Sequence, residues 1–253
     1  MSSPIGQVSP DGLWTWSGSQ WVPTGMGRPY PQPRPYESAR FRSTFVVVFL
    51  GVNAVAILLG MVVDVAYIVA GGRLDSLGDA ATIAFGLIAV VFLIAYYGSL
   101  IPSIVLFCMW LHRVVRNMPA LGAPDPRWTP AGAVGRCFIP FLNFVHPYLS
   151  TVDAWRGSDA RQLRADLPAR NQLPVPPLLL GWWVAWLAGR MISVFSNSLI
   201  GSSDPATVTS GAYIDLVANL VIVIAAGLAI LVVRQLTARQ DLKQELIAAG
   251  RLG

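Results

Sequence analysis

Three of the four strongly apolar stretches of this chain carry an ionisable residue: Asp64, Arg190 and Asp215. A charge near the centre of a bilayer costs at least about 2.5–3.5 kcal/mol on insertion scales, so such residues face a bundle interior and pair. Helical rise counted from the Arg-rich ends of the stretches puts Asp64 at about 30 Å and Arg190 at about 23 Å, the same half of a bilayer as Asp215. The sequence therefore predicts that Arg190 bridges Asp64 and Asp215, with Asn53, Asn197 and Asn219 lining the same interior. This cluster would be a structural tie between three helices, or a polar site for an ion, a proton or a small solute. No second layer of acids continues a path to the other side, which weights the structural tie.

Cys108 and His112 stand one helical turn apart, and Cys137 and His146 follow on a segment that could fold beneath them. Two Cys and two His would close a tetrahedral zinc site. These are all the Cys and His of the chain, and no C-x-x-C pair is present. Buried thiols and interfacial imidazoles account for them, and no metal or cofactor is expected. Asp153, Asp159 and Asp166 alternate with Arg156, Arg161 and Arg164, the pattern of a self-neutralising solvated surface rather than a metal site for phosphate chemistry. No nucleophile elbow, zinc-protease, phosphate-loop or dinucleotide motif occurs, so catalysis is not expected.

The elements that must position these residues follow from the apolar runs. Of the 253 residues, 54% are hydrophobic and 12% charged, against about 25% charged in an ordinary soluble domain. Spans are predicted at about Thr44–Ala70, Ala80–Leu111, Val175–Leu199 and Tyr213–Val233, each long enough for the roughly 20 residues a crossing needs. Basic residues cluster on one side of this map, before the first and third spans and after the second and fourth, with Arg73 alone in an outer loop. That bias predicts both termini in the cytoplasm. The net charge of +5 is spread over short juxtamembrane segments without a nucleic-acid motif, so anionic lipid of the inner leaflet is the expected partner and nucleic acid is not.

Between the second and third spans, residues 131–152 are apolar but interrupted by Arg136, Pro140, Asn143, His146 and Pro147. The flanks carry three arginines (Arg113, Arg116, Arg127) and four (Arg156, Arg161, Arg164, Arg170), so a Pro-broken re-entrant or interfacial element is predicted, packed against the bundle to satisfy its backbone. The third span places Gly181, Ala185, Gly189 and Ser193 at four-residue spacing, a face for close helix packing within the chain or in a homo-oligomer. The first 43 residues form a tail. In it Asp11-Gly12 and Ser17-Gly18 are turn signals around Trp14, Trp16 and Trp21, a candidate hairpin, and residues 27–35 (GRPYPQPRP) read as a polyproline linker. Three Trp could grip a proline-rich protein partner or lie among lipid headgroups. Residues 235–253 form a second tail, helical and amphipathic.

Four spans around IPFLNFVHP, with Pro140, Asn143 and Pro147 in a Pro-x-x-Asn-x-x-x-Pro pattern, resemble the bacterial membrane family named domain of unknown function 4328, over about residues 45–233. WTWSGSQWVP resembles a short Trp-rich module found ahead of spans in actinobacterial membrane proteins, with Ser17 in place of its Asp. Neither resemblance implies an activity. The expected fold is an all-α integral membrane bundle of four helices plus the broken element, in a bacterial inner membrane. The expected role is a non-enzymatic interaction or assembly module; the alternative is a small transporter or channel subunit built around Arg190, Asp64 and Asp215.

Overall fold

The computed structural model of the chain describes residues 7–10, 14–16, 20–23, 35–73, 76, 78–161 and 167–252. It divides into two units, Met1–Tyr36 and Glu37–Gly253.

In the first unit, β1 (Trp14–Trp16) pairs antiparallel with β2 (Trp21–Pro23), placing Trp16 opposite Trp21. Their rings lie 5.6 Å apart, and Val8 bridges Thr15 on the other side of β1. The alternation that puts Trp14 and Trp16 on one face of a strand is thus used in a paired strand. The predicted turns at Asp11-Gly12 and Ser17-Gly18, and the proline-rich linker over residues 27–34, lie outside the described residues.

The second unit is mostly helical. Its long elements are α1 (Arg40–Val69), α2 (Asp79–Asn117), α6 (Pro177–Ile200) and α7 (Pro205–Ala248), and all four are long and apolar enough to cross a membrane. Between α2 and α6 lie three short helices, α3 (Pro130–Gly135), α4 (His146–Gly157) and α5 (Leu167–Asn171). Pro177 and Pro205 sit at the first positions of α6 and α7, where a missing N–H costs nothing. The Asp204 carboxylate caps α7 by accepting from the Thr207 N–H at 2.9 Å. This cap starts α7 eight residues ahead of the apolar run at Tyr213, and the helix then continues without a break into the polar tail.

The long helices pack in the order α2, α1, α7, α6, and among the described residues α2 and α6 share no comparable packing. They approach where the Phe107 and Trp182 rings lie 5.9 Å apart. The arrangement is therefore a row that closes at one end, the end bearing Arg40, Arg113, Arg170 and Arg239. We call this the basic end. There Trp110, Leu111, Val114, Met118, Ala154, Leu179, Val233 and Leu236 are fully buried in one core. Trp110 Nε1 donates to Thr237 Oγ1 at 3.0 Å, and Gln240 Nε2 donates to the Val114 carbonyl at 2.9 Å. These bonds satisfy buried polar groups on α7 and lock its extension against α2.

Candidate functional site

The broken element is built from local breakers. Thr129 caps α3 by accepting from the Gly132 N–H, and α3 gives way to a 3-10 turn over Arg136–Phe138. At Phe141 the backbone adopts φ 65° and ψ −40°, and the Leu142 N–H donates to the Pro140 carbonyl at 2.8 Å. That is a γ-turn with positive φ at its centre, a strained form for a residue with a Cβ. Phe138, Ile139, Phe141, Leu142, Phe144 and Val145 all project outward, and Phe141 is 83% exposed. The result is an apolar knuckle, with Pro140 exposed and Pro147 buried at the start of α4. Asn143 keeps its Oδ1 buried with no hydrogen-bond partner among the described residues.

Two anchors hold the knuckle. Trp183 Nε1 donates to the Phe144 carbonyl at 2.8 Å, and the Trp183 ring stacks on Trp186 at 4.8 Å. His146 is buried edge-on against Trp128, with ring centroids 4.6 Å apart, and bonds Ser150 at 3.2 Å. Burial, helped by nearby Arg136, pushes the His146 imidazole below its ordinary pKa, so it is neutral at pH 7.

The four Cys and His residues do not gather into one site, although Cys137 comes within electrostatic reach of Cys108. Cys108 and His112 line a groove of about 330 Å³ with Arg42, Val105, Met109, Val134 and Phe138. Cys137 donates its thiol to the Ala133 carbonyl, and His146 belongs to the Trp128 contact. Among the described residues, no group of three His, Cys, Asp or Glu side chains is arranged to hold a metal.

The intramembrane polar cluster forms without its arginine. Asp215 accepts from Ser196 Oγ at 2.7 Å and from Asn219 Nδ2 at 2.8 Å, and Asp64 lies within electrostatic reach of Asp215. Arg190 instead lies exposed on α6 and enters no ion pair among the described residues. The expected Asp64–Arg190–Asp215 bridge is therefore corrected. Gly189 is pressed against α7, and the next residue along α6 is turned roughly 100° away from that contact. Asn197 is likewise exposed rather than lining the interior, while Asn53 of α1 is buried against α2, donating to Ser99 Oγ at 3.0 Å and to the Tyr96 carbonyl at 3.2 Å. Ser196 is the member that sequence reading missed; its spacing of three from Ser193 was the available signal.

At the basic end the charges form a network that no motif announced. Arg40 pairs with Asp241 at 2.7 Å, and Glu37 pairs with Arg113 and Arg116. Asp159, pulled down to about 2 by the Arg161 side chain that donates to it, also holds Arg239 at 2.8 Å. Arg239 in turn lies over the Trp155 ring. Asp153 is raised by burial despite accepting from the Arg127 N–H and facing Arg170 and Arg156. Arg170, 1% exposed, donates to the Asp125 carbonyl and stands 3.6 Å from Asp153. Lys243 donates to the Gly157 carbonyl at 3.1 Å, and burial pulls it down to about 8. The expected solvated surface is thus partly an interior: Asp153 and Asp159 are buried, Arg156 is half-buried and Arg161 is exposed. Arg164 and Asp166 lie outside the described residues.

The small-residue face of α6 is also divided. A Cβ built on Gly189 would meet Ile222 Cγ1 at 2.7 Å, so this position makes the close approach to α7. Gly181 has nothing within 4 Å of such a Cβ, and Ala185 and Ser193 are half-buried. In the N-terminal unit, Trp14 and Trp21 line an open cleft of about 470 Å³ with Ser9 and Pro10, while Trp16 is half-buried.

A family model described as "Domain of unknown function (DUF4328)" matches residues 73–238, from the loop before α2 to the polar part of α7. No curated protein and no solved structure matches the chain.

Proposed function

The chain belongs to the family described as domain of unknown function 4328, and from that premise we propose that it is a non-enzymatic interaction or assembly module of the bacterial inner membrane. The observation that carries this reading is the open row of helices. A row that closes at one end encloses no central path, whereas it leaves flanks of α2 and α6 uncovered for lipid or for another chain. The end that does close is well packed and charged, which suits a platform for partners.

In this reading the basic end and both termini face the cytoplasm. The start of α1, the end of α2, the start of α6 and the extension of α7 share that end, and their arginines favour the cytoplasmic side. The broken element returns to the same side, and its apolar knuckle dips into the inner leaflet. Trp183 supports this by supplying a donor to a carbonyl that lipid cannot satisfy. Labelling of a single Cys at Gln172 in a Cys-free background, with an impermeant maleimide, checks the sidedness. Protection in intact cells with labelling after lysis is expected; labelling of intact cells would overturn the topology.

The partners of this module are anionic inner-leaflet lipid, a cytoplasmic protein held by the Trp-lined tail, and a second copy of the chain. Deleting residues 1–36 is expected to abolish in-cell crosslinking to the protein partner while leaving the thermal midpoint of the membrane unit unchanged. The cluster of half-buried Asp64, Asp215 and Asn219 with buried Ser196 supports a second reading, a transporter or channel subunit. Solute flux in liposomes that is lost on Asp215→Asn, with the fold intact, would replace the first reading by the second.

A further inference from the structure

The groove between α1, α2 and α3 changes character along its length. Val105, Met109, Val134 and Phe138 make an apolar floor and wall, and Arg42 and His112 stand at one end. Along α2 the lining passes from Val105 through Cys108 and Met109 to His112 within two turns. Arg42 lies two residues before the first apolar run begins at Thr44. Both observations set the groove at the level where hydrocarbon gives way to headgroups. Its volume of about 330 Å³ falls at the lower end of the usual range for small-ligand sites, about 300–1,000 Å³.

The charge at its polar end is uncommitted. Arg42 Nη1 donates to the Met109 carbonyl at 2.7 Å, which ties the guanidinium to α2 within the groove lining. No carboxylate pairs with Arg42 among the described residues, because Glu37 is held by Arg113 and Arg116, and Asp241 by Arg40. The outer wall is Phe138, 63% exposed and continuous with the apolar knuckle. An oriented guanidinium matches a phosphate oxygen, and the apolar wall matches an acyl chain.

We propose that this groove binds one phospholipid, with its phosphate at Arg42 and its acyl chain along Val105, Met109, Val134 and Phe138. The inference rests on the membrane placement proposed above. It adds a defined lipid site, through which the lipid would brace the broken element against α1 and α2.

The test uses the full chain in phosphatidylcholine vesicles containing a minority of phosphatidylglycerol. Benzoylphenylalanine replaces Phe138 in one variant and Val194, on the exposed face of α6, in a second. After irradiation, phosphatidylglycerol adducts at position 138 are expected at about fivefold over that lipid's share, the ratio that one basic residue near an anionic surface confers. Adducts at position 194 should follow the bulk composition. Arg42→Gln should remove the enrichment at 138, and Met109→Trp, which fills the groove without changing charge, should lower all lipid adducts there. Labelling at 138 in proportion to bulk lipid, or crosslinking of 138 to a second copy of the chain, would overturn the site while leaving the membrane placement standing. Absence of lipid adducts at both positions would overturn the placement and the site together.

Discussion

Trp183 donates its indole N–H to the Phe144 carbonyl, joining α6 to the apex of the broken element at 2.8 Å. This bond crosses between two segments that sequence reading treats separately, one a regular span and the other an interrupted stretch. It also explains why an irregular, apolar turn holds one position: the carbonyl of a 3-10 turn has found the single donor a Trp side chain offers.

Replacing Trp183 by Phe retains much of the ring contact with Trp186 and removes the donor. The Phe144 carbonyl is then left without this partner, at a cost of about 1–3 kcal/mol where it stays dry. Hydrogen exchange should accelerate at the amides of residues 141–145, with the α1–α7 contact unaffected. Unchanged exchange there would mean that the bond does not anchor the knuckle.

Phe141 occupies a positive-φ conformation that suits Gly. Phe141→Gly is expected to raise the thermal midpoint in detergent, because strain of about 1–3 kcal/mol is relieved and an exposed ring contributes little packing. The same variant should lower partitioning of the knuckle into lipid, seen as weaker quenching of nearby Trp128 by brominated lipid. A lowered midpoint in detergent would show that the ring packs rather than projects.

Adjacent residues on α6 should respond oppositely. Gly189→Val drives a side chain into Ile222 and should destabilise the α6–α7 pair by about 1–3 kcal/mol, as overpacking does. Arg190→Gln touches no ion pair and should stay within about 0.5 kcal/mol of the parent. Denaturation in mixed micelles measures both. A large loss on Arg190→Gln would restore the bridge to Asp64 and Asp215.

Stability should depend on pH through two buried groups of the basic end. Lys243 titrates at about 8 in the fold and at about 10.4 in the unfolded chain. The unfolded state therefore binds more protons between these values, and stability should rise with pH across that window. Asp159 titrates at about 2 in the fold and at about 3.9 unfolded. Its contribution is full above the unfolded value and is lost as pH falls toward the folded one. Lys243→Met should flatten the alkaline rise and Asp159→Asn the acid loss, each read as the difference from the parent in thermal midpoint. A Lys243→Met curve parallel to the parent through the alkaline window would remove the first assignment.

The four helices were legible because a bilayer-length apolar run is a one-dimensional property, visible at Val62–Val63 or Val221–Ile224 without knowing any neighbour. The break at residues 136–147 was legible for a similar reason, since Pro140 and Pro147 remove donors wherever the chain goes. A candidate hairpin around Trp14, Trp16 and Trp21 could be read from alternation and turn residues, whereas the register that sets Trp16 opposite Trp21 came from the structure. The start of α7 was not read, because the Asp204–Thr207 cap is a local polar signal that the apolar count overlooks. The polar cluster was half read: Asp64, Asp215 and Asn219 meet, whereas Arg190 was assigned by depth alone.

Depth along a helix is fixed by residue number, and the sequence by itself therefore determined which residues share a level. The direction in which each side chain faces depends on which neighbour a helix packs against, and only the tertiary structure decided that. Gly189 against Ile222 sets the rotation of α6, and that rotation turns Arg190 outward and Ser196 inward to Asp215. The same reason separates Cys108 from His146 and brings Arg42 to the Met109 carbonyl. Azimuth is a relation between segments far apart in the chain, and no count along one segment contains it.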